Sequence, residues 1–143
     1  MFNISSGVCG FMGKDRIELQ TGSDVDRLLL SEFEKSKHDG DFKCLVTMRS
    51  SIFSCERPFI FNSLDSTIRS LEKMDRGISG EAELRYGREH EMLKFSMNPL
   101  GHVVVRGEFF HYGELEQNLK IAFRTDQTVL KFFIRDLKRL LEE

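Results

Sequence analysis

The hydrophobic pattern is clearest at the end of the chain. From Thr125 to Glu143 the apolar positions are Val129, Leu130, Phe133, Ile134, Leu137, Leu140 and Leu141. At roughly 100° per residue they fall on one broad stripe. Lys131, Arg135, Lys138 and Arg139 fall on the other side. This spacing predicts a terminal helix packed on a sheet, with Thr125 or Asp126 placed to cap its first free N–H groups.

Upstream the period changes to two. Leu115, Gln117, Leu119, Ile121 and Phe123 alternate with Glu116, Asn118, Lys120 and Arg124, as in a strand with one buried face. The stretch from His102 to Phe110 sets Val103, Val105, Gly107 and Phe109 against Val104, Arg106, Glu108 and Phe110. Leu93, Phe95 and Met97 alternate with Lys94 and Ser96, and Ala82, Leu84 and Tyr86 alternate with Glu81, Glu83 and Arg85. Asn98-Pro99-Leu100-Gly101 reads as a turn, with Pro where its fixed φ helps and Gly at the fourth position. Gly87 and Gly113 mark two more turns, so these strands read as an antiparallel meander.

The first half is less regular. Phe42, Cys44, Val46 and Met48 alternate across Asp41 to Ser50, and Ile52 to Phe61 is expected to return beside that strand. Pro58 in the returning run points to an edge or a bulge. Leu64, Ile68, Leu71 and Met74 have helical spacing, with Asn62 or Ser63 as the cap. Between Asp24 and Lys37, the residues Val25, Leu28, Leu29 and Phe33 fit either a helical stripe or an irregular strand. The order of elements, without βαβ alternation, predicts a single α+β domain over residues 1–143. It would carry an antiparallel sheet, as a curved sheet or a sandwich-like meander, with one mid-chain helix and one C-terminal amphipathic helix.

Composition narrows the function classes. Hydrophobic residues are 40% and charged residues 31% of the 143, enough for a core and unlike a disordered chain. Lys and Arg total 21 against 23 for Asp and Glu. That balance disfavours a dedicated nucleic-acid binder or a polybasic membrane-surface protein. The start, Met1-Phe2-Asn3-Ile4-Ser5-Ser6-Gly7, lacks a basic segment before its apolar residues, so no secretory signal is expected. Three irregularly spaced cysteines, Cys9, Cys44 and Cys55, fit a reducing cytoplasm better than a disulfide framework.

Candidate chemistry is sparse. Gly13-Lys14 fails as a phosphate loop, because Val8 and Asp15 stand where Gly and Ser or Thr are required. His90-Glu91 fails as a zinc-protease start, because Lys94 takes the place of the second His. His102 and His111 flank the longest strand, roughly 30 Å apart at about 3.3 Å per residue, too far to share a metal or a proton. Cys44 falls on an apolar strand face, and nothing near Cys55 argues for a lowered pKa. No cofactor or metal is expected. The features left are surfaces: Glu81, Glu83, Glu89 and Glu91 with Arg85 and Arg88, the basic side of the last helix, and the aromatics Phe110, Tyr112 and Phe132. A mixed charged patch with aromatics suits a protein interface, although exposed strand charge also discourages edge pairing.

Several segments together resemble a known family. These are Gly80-Glu81-Ala82-Glu83-Leu84, Leu93-Lys94-Phe95, Gly101-His102-Val103-Val104-Val105-Arg106-Gly107, Leu119-Lys120-Ile121-Ala122-Phe123 and Thr125-Asp126-Gln127-Thr128-Val129-Leu130. Over about residues 40 to 141 the chain resembles the WapI-type immunity family of small bacterial proteins. Members often carry Trp before the Gly-x-Ala-x-Leu strand, whereas this chain has none and shows Met74-Asp75-Arg76-Gly77 nearby. The resemblance implies a non-enzymatic protein that neutralises the C-terminal domain, often a nuclease, of a cell-contact toxin. Its implied partner is that toxin domain, with no direct nucleic acid or membrane partner, and it supplies no catalytic residues. The expected contacts are Glu81, Glu83, Arg85, Glu89, Glu91, Phe110 and Tyr112. A small ligand-binding or enzymatic domain and a self-associating adaptor module are the alternatives.

Overall fold

Two runs of alternating strands become two separate antiparallel sheets. The computed structural model describes residues 16–35, 42–77, 79–85 and 91–142. The first sheet holds β1 (Arg16–Leu19), β2 (Arg27–Lys35), β3 (Phe42–Ser50) and β4 (Phe53–Phe61), in sequence order. The helix α1 (Leu64–Gly77) follows. The second sheet holds β5 (Gly80–Arg85), β6 (Met92–Met97), β7 (His102–Tyr112) and β8 (Glu116–Asp126), again in sequence order. A 3₁₀ turn (Gln127–Val129) leads into α2 (Leu130–Glu142). The domain is α+β, and the choice between one curved sheet and two layers falls to two sheets.

The sheets share one core. Leu28, Leu30, Val46, Met48, Phe59 and Phe61 from the first pack with Leu84, Leu93, Phe95, Val103, Val105 and Phe109 from the second. Phe59 meets Phe109 edge-on across the layers, with ring centroids 5.8 Å apart. At Gly107 the layers come so close that an added Cβ would stand 2.5 Å from Met48 Sδ and 2.7 Å from the Phe109 ring. Val at this place on the inner face would fit the alternation, but its Cβ would force the Met48 side chain and the Phe109 ring to shift. The helices bridge the layers. α2 lies against β1 and α1, and its Phe133 packs on Phe95 of β6, centroids 5.6 Å apart. The side chain of Gln127 donates to the Asp75 carbonyl at 2.7 Å, joining the start of α2 to the last turn of α1.

Several sequence expectations meet a physical answer here. Asn98-Pro99-Leu100-Gly101 is the turn between β6 and β7. Asn98 Oδ1 accepts the N–H groups of Leu100 and His102, and Gly101 adopts φ +85°, where a side chain would strain. Pro58 lies on β4, which among the described residues pairs only with β3, at the edge of the sheet. The ambiguous stretch after Asp24 is β2. A register shift between Ser31 and Glu34, with Glu32 at φ +52°, switches the inward parity from Leu28 and Leu30 to Phe33. That bulge makes the spacing neither two nor 3.6. β1 is a strand that the pattern did not suggest, because only Ile17 and Leu19 face inward in four residues.

Two expectations are corrected. Leu115 is not in the strand but in the β7–β8 turn, 75% exposed, because β8 begins at Glu116. Neither Thr125 nor Asp126 caps the last helix with its side chain. Thr125 Oγ1 donates instead to the Gln20 carbonyl, Asp126 makes no side-chain cap bond, and Gln127 N–H donates to the Gly101 carbonyl. The glycines near the start, Lys14, Cys9, Tyr86, Gly87, Arg88, Glu89 and His90 lie outside the described residues.

Candidate functional site

The outer face of the second sheet gathers most of the residues singled out in the sequence. Register places Glu81 beside Ser96 and Val104, Glu83 beside Lys94 and Arg106, and Arg85 beside Met92 and Glu108. Farther along β7, Phe110 stands opposite Asn118 and Tyr112 opposite Glu116. Glu81, Glu83, Arg85, Phe110 and Tyr112 therefore share one face, because strand residues of the same parity point the same way.

The acidic character of that face is largely cancelled where β5 runs. Lys94 Nζ lies 3.3 Å from Glu81, and Arg85 makes a two-armed contact with Glu83 at 3.3 and 3.2 Å. Such exposed pairs contribute little to stability, on the order of 0–1 kcal/mol, but they leave a surface of alternating sign. The outer edge of β5 is also blocked. Thr67 of α1 donates its hydroxyl to the Glu83 carbonyl at 2.5 Å, and α1 lies along this strand. A partner strand adding at β5 would have to displace α1.

Glu91 does not join the exposed face. Its carboxylate is buried, at 2% exposure, immediately before β6. Arg57 of β4 reaches it with Nε at 3.0 Å and Nη2 at 2.9 Å, and the Phe110 N–H donates to the same carboxylate at 3.2 Å. The residue expected to meet a partner instead ties the two sheets together. Little in the sequence signals this pairing, because Arg57 lies far from Glu91 along the chain.

Phe110 is half-buried and stacks on Tyr112, centroids 6.1 Å apart and rings 10° from parallel. Tyr112 is 53% exposed. Phe132 on α2 is also exposed and carries the Arg135 guanidinium at 5.3 Å from its ring centre. His102 and His111 stand at opposite ends of β7. Among the described residues, no group of three metal-ligating side chains is assembled. Burial raises the pKa of the Cys44 thiol strongly. Burial also raises that of half-buried Cys55, with Arg57 opposing and Glu91 reinforcing the shift. Neither thiol has the lowered pKa of an activated nucleophile.

Among the described residues, three clefts stand out on the surface. One of about 700 Å³ lies between β1 and α2, lined by Arg16, Arg135 and Arg139, with Asp136 paired to the latter two. A polar cleft of about 350 Å³ surrounds the β1–β2 turn. The third, about 200 Å³, lies between β4 and the far ends of β7 and β8 and is lined partly by Cys55, Phe109 and Leu119. Phe110 and His111 also line it.

A family model for WapI-like immunity proteins matches residues 26–143. The chain belongs to the WapI-like immunity protein family. The match takes in most of the first sheet, both helices and the whole second sheet, and extends the resemblance upstream of residue 40 into β2. No curated protein and no solved structure matches the chain significantly. Membership supports a role in toxin immunity with a protein toxin as partner. Among the described residues, no helix is long and apolar enough to cross a membrane.

Proposed function

We propose that this WapI-like chain is a cytoplasmic immunity protein that binds the C-terminal domain of a contact-dependent bacterial toxin and neutralises it without catalysis. The family match over residues 26–143 is the observation that carries this reading. The toxin domain is a nuclease in this proposal, and the outer face of the second sheet is the binding face. A nuclease presents a basic surface to its polyanionic substrate, and an inhibitor with acidic groups opposes that surface and speeds association. Glu81, Glu83, Arg85, Phe110 and Tyr112 share the proposed face, and Glu89 is the further candidate by sequence.

Co-expression tests the reading. Each toxin C-terminal domain encoded by the source genome is induced in a susceptible bacterium with and without this chain. Rescue by this chain from one domain, with cellular nucleic acid kept intact, is the expected result. Rescue without any effect on nucleic acid would replace the nuclease by another toxin activity. Failure against every domain that kills would remove the immunity reading.

A further inference from the structure

The far end of the second sheet differs from the rest of it. Pairing between β6 and β7 ends at Met92 and Glu108, but pairing between β7 and β8 continues through Phe109, Phe110, His111 and Tyr112. Among the described residues, the last part of the hairpin therefore extends past β6 as a two-stranded arm. A lone hairpin is marginally stable in water. Here, among the described residues, one carboxylate stands beside the arm next to the end of β6. Glu91 accepts the Phe110 N–H that β6 no longer reaches, and Arg57 from the other sheet holds Glu91 in place. Phe109 packs inward against Phe59, so the root of the arm is also anchored in the core.

Beyond that anchor the surface changes character. Leu115 and Tyr112 are exposed at the tip. Glu114 and Glu116 flank Leu115, and among the described residues neither takes part in an ion pair, unlike Glu81, Glu83 and Glu91. The cleft of about 200 Å³ lies at the root, between the arm and β4. Apolar and aromatic anchors on a preset element, with uncompensated charge around them and a recess beside them, match the anatomy of a protein docking site. A preset arm loses little freedom on binding.

We propose that the β7–β8 arm docks on a basic patch of the toxin domain, with Tyr112 and Leu115 as apolar anchors and Glu114 and Glu116 as steering charges. Arg57 and Glu91 are positioning residues that set the angle of the arm. The partner is basic because, among the described residues, Glu114 and Glu116 form no ion pair, and an apolar side chain of the partner fits the recess lined by Phe109 and Leu119. This inference rests on the toxin-binding reading above.

The probe is a purified toxin domain that the full chain neutralises in co-expression, with rates read by surface plasmon resonance. Glu114→Lys with Glu116→Lys is expected to slow association about tenfold at low salt, with the gap closing at high salt. Tyr112→Ala with Leu115→Ala is expected to speed dissociation about thirtyfold or more. Asp65→Lys, at an exposed position of α1 away from the proposed face, serves as the charge control and is expected to stay within about threefold. Glu91→Gln keeps an acceptor for the Phe110 N–H. It is expected to hold dissociation nearer wild type than Glu91→Ala does, while Glu91→Ala speeds amide exchange at residues 110–118 and leaves β5 and β6 unchanged. Neutralisation by the wild-type chain with both arm variants binding normally would overturn the arm and leave the toxin reading intact. Failure of the wild-type chain to neutralise any toxin domain would overturn both. A wild-type dimer in sedimentation that Leu115→Ala breaks would make the arm a self-association surface and overturn the proposal.

Discussion

The two ends of the second sheet are built from the same kind of alternating sequence and end differently. At β5 each exposed carboxylate has a cation beside it, Glu81 with Lys94 and Glu83 with Arg85, and the strand edge is covered by α1 through Thr67. At the β7–β8 arm the described pairing with β6 ends at Met92, a single buried carboxylate accepts the Phe110 N–H, and Leu115 and Tyr112 are exposed. The first end is a finished surface and the second an open one. The lesson is that charge in a sequence marks an interface poorly until its compensation is known, because a paired surface carboxylate contributes little field at a distance.

The largest expected effect comes from collapsing the space both ends share. Gly107→Val should lower stability by about 3 kcal/mol or more, seen as a fall in Tm by calorimetry, because Met48 and Phe109 must both give way. A normal Tm in this variant would mean that the layers are not in contact there. Next is Arg57→Ala, which leaves Glu91 buried without its cation and should cost about 3 kcal/mol in urea unfolding. A loss below about 1 kcal/mol would show that solvent reaches the carboxylate and that the arm is not clasped.

Thiol chemistry sharpens the same comparison. The core and the arm root each hold a cysteine whose pKa is raised by burial. A raised pKa leaves less thiolate near neutral pH, so iodoacetamide should label both more slowly in the folded chain than in the unfolded one. Peptide mapping at pH 8 should find Cys44 untouched until unfolding and Cys55 labelled slowly, with its rate still rising above the pH where an ordinary thiol levels off. Rapid labelling of Cys55 would mean that the arm opens away from β4. The smallest effect belongs to the finished end. Glu81→Gln should change unfolding free energy by less than about 0.5 kcal/mol, whereas a larger loss would make the β5 charge ladder part of the fold's support.

Much of the architecture was legible because burial imposes a period. Inward residues of β3, β6 and β7 recur every second position, and those of α1 and α2 return every three or four. The turn at Asn98–Gly101 was legible because Pro and Gly have narrow backbone preferences. The C-terminal segments also carried enough of the family's spacing to suggest WapI-like membership. β2 was not legible, since its bulge breaks the period, and β1 was too short to show one.

The candidate surface was legible only in part. Periodicity by itself put Glu81, Glu83, Arg85, Phe110 and Tyr112 on the outward parity of their strands, because a pleated strand allows no other choice. Tertiary structure alone decided that the strands form two layers, that Glu91 turns inward to Arg57, and that Leu115 stands in the open. Strand alternation is set by neighbours in the chain, but burial of a charge depends on whether a distant counter-charge arrives to meet it. Arg57 and Glu91 meet across the layers, and no local rule of sequence encodes that meeting.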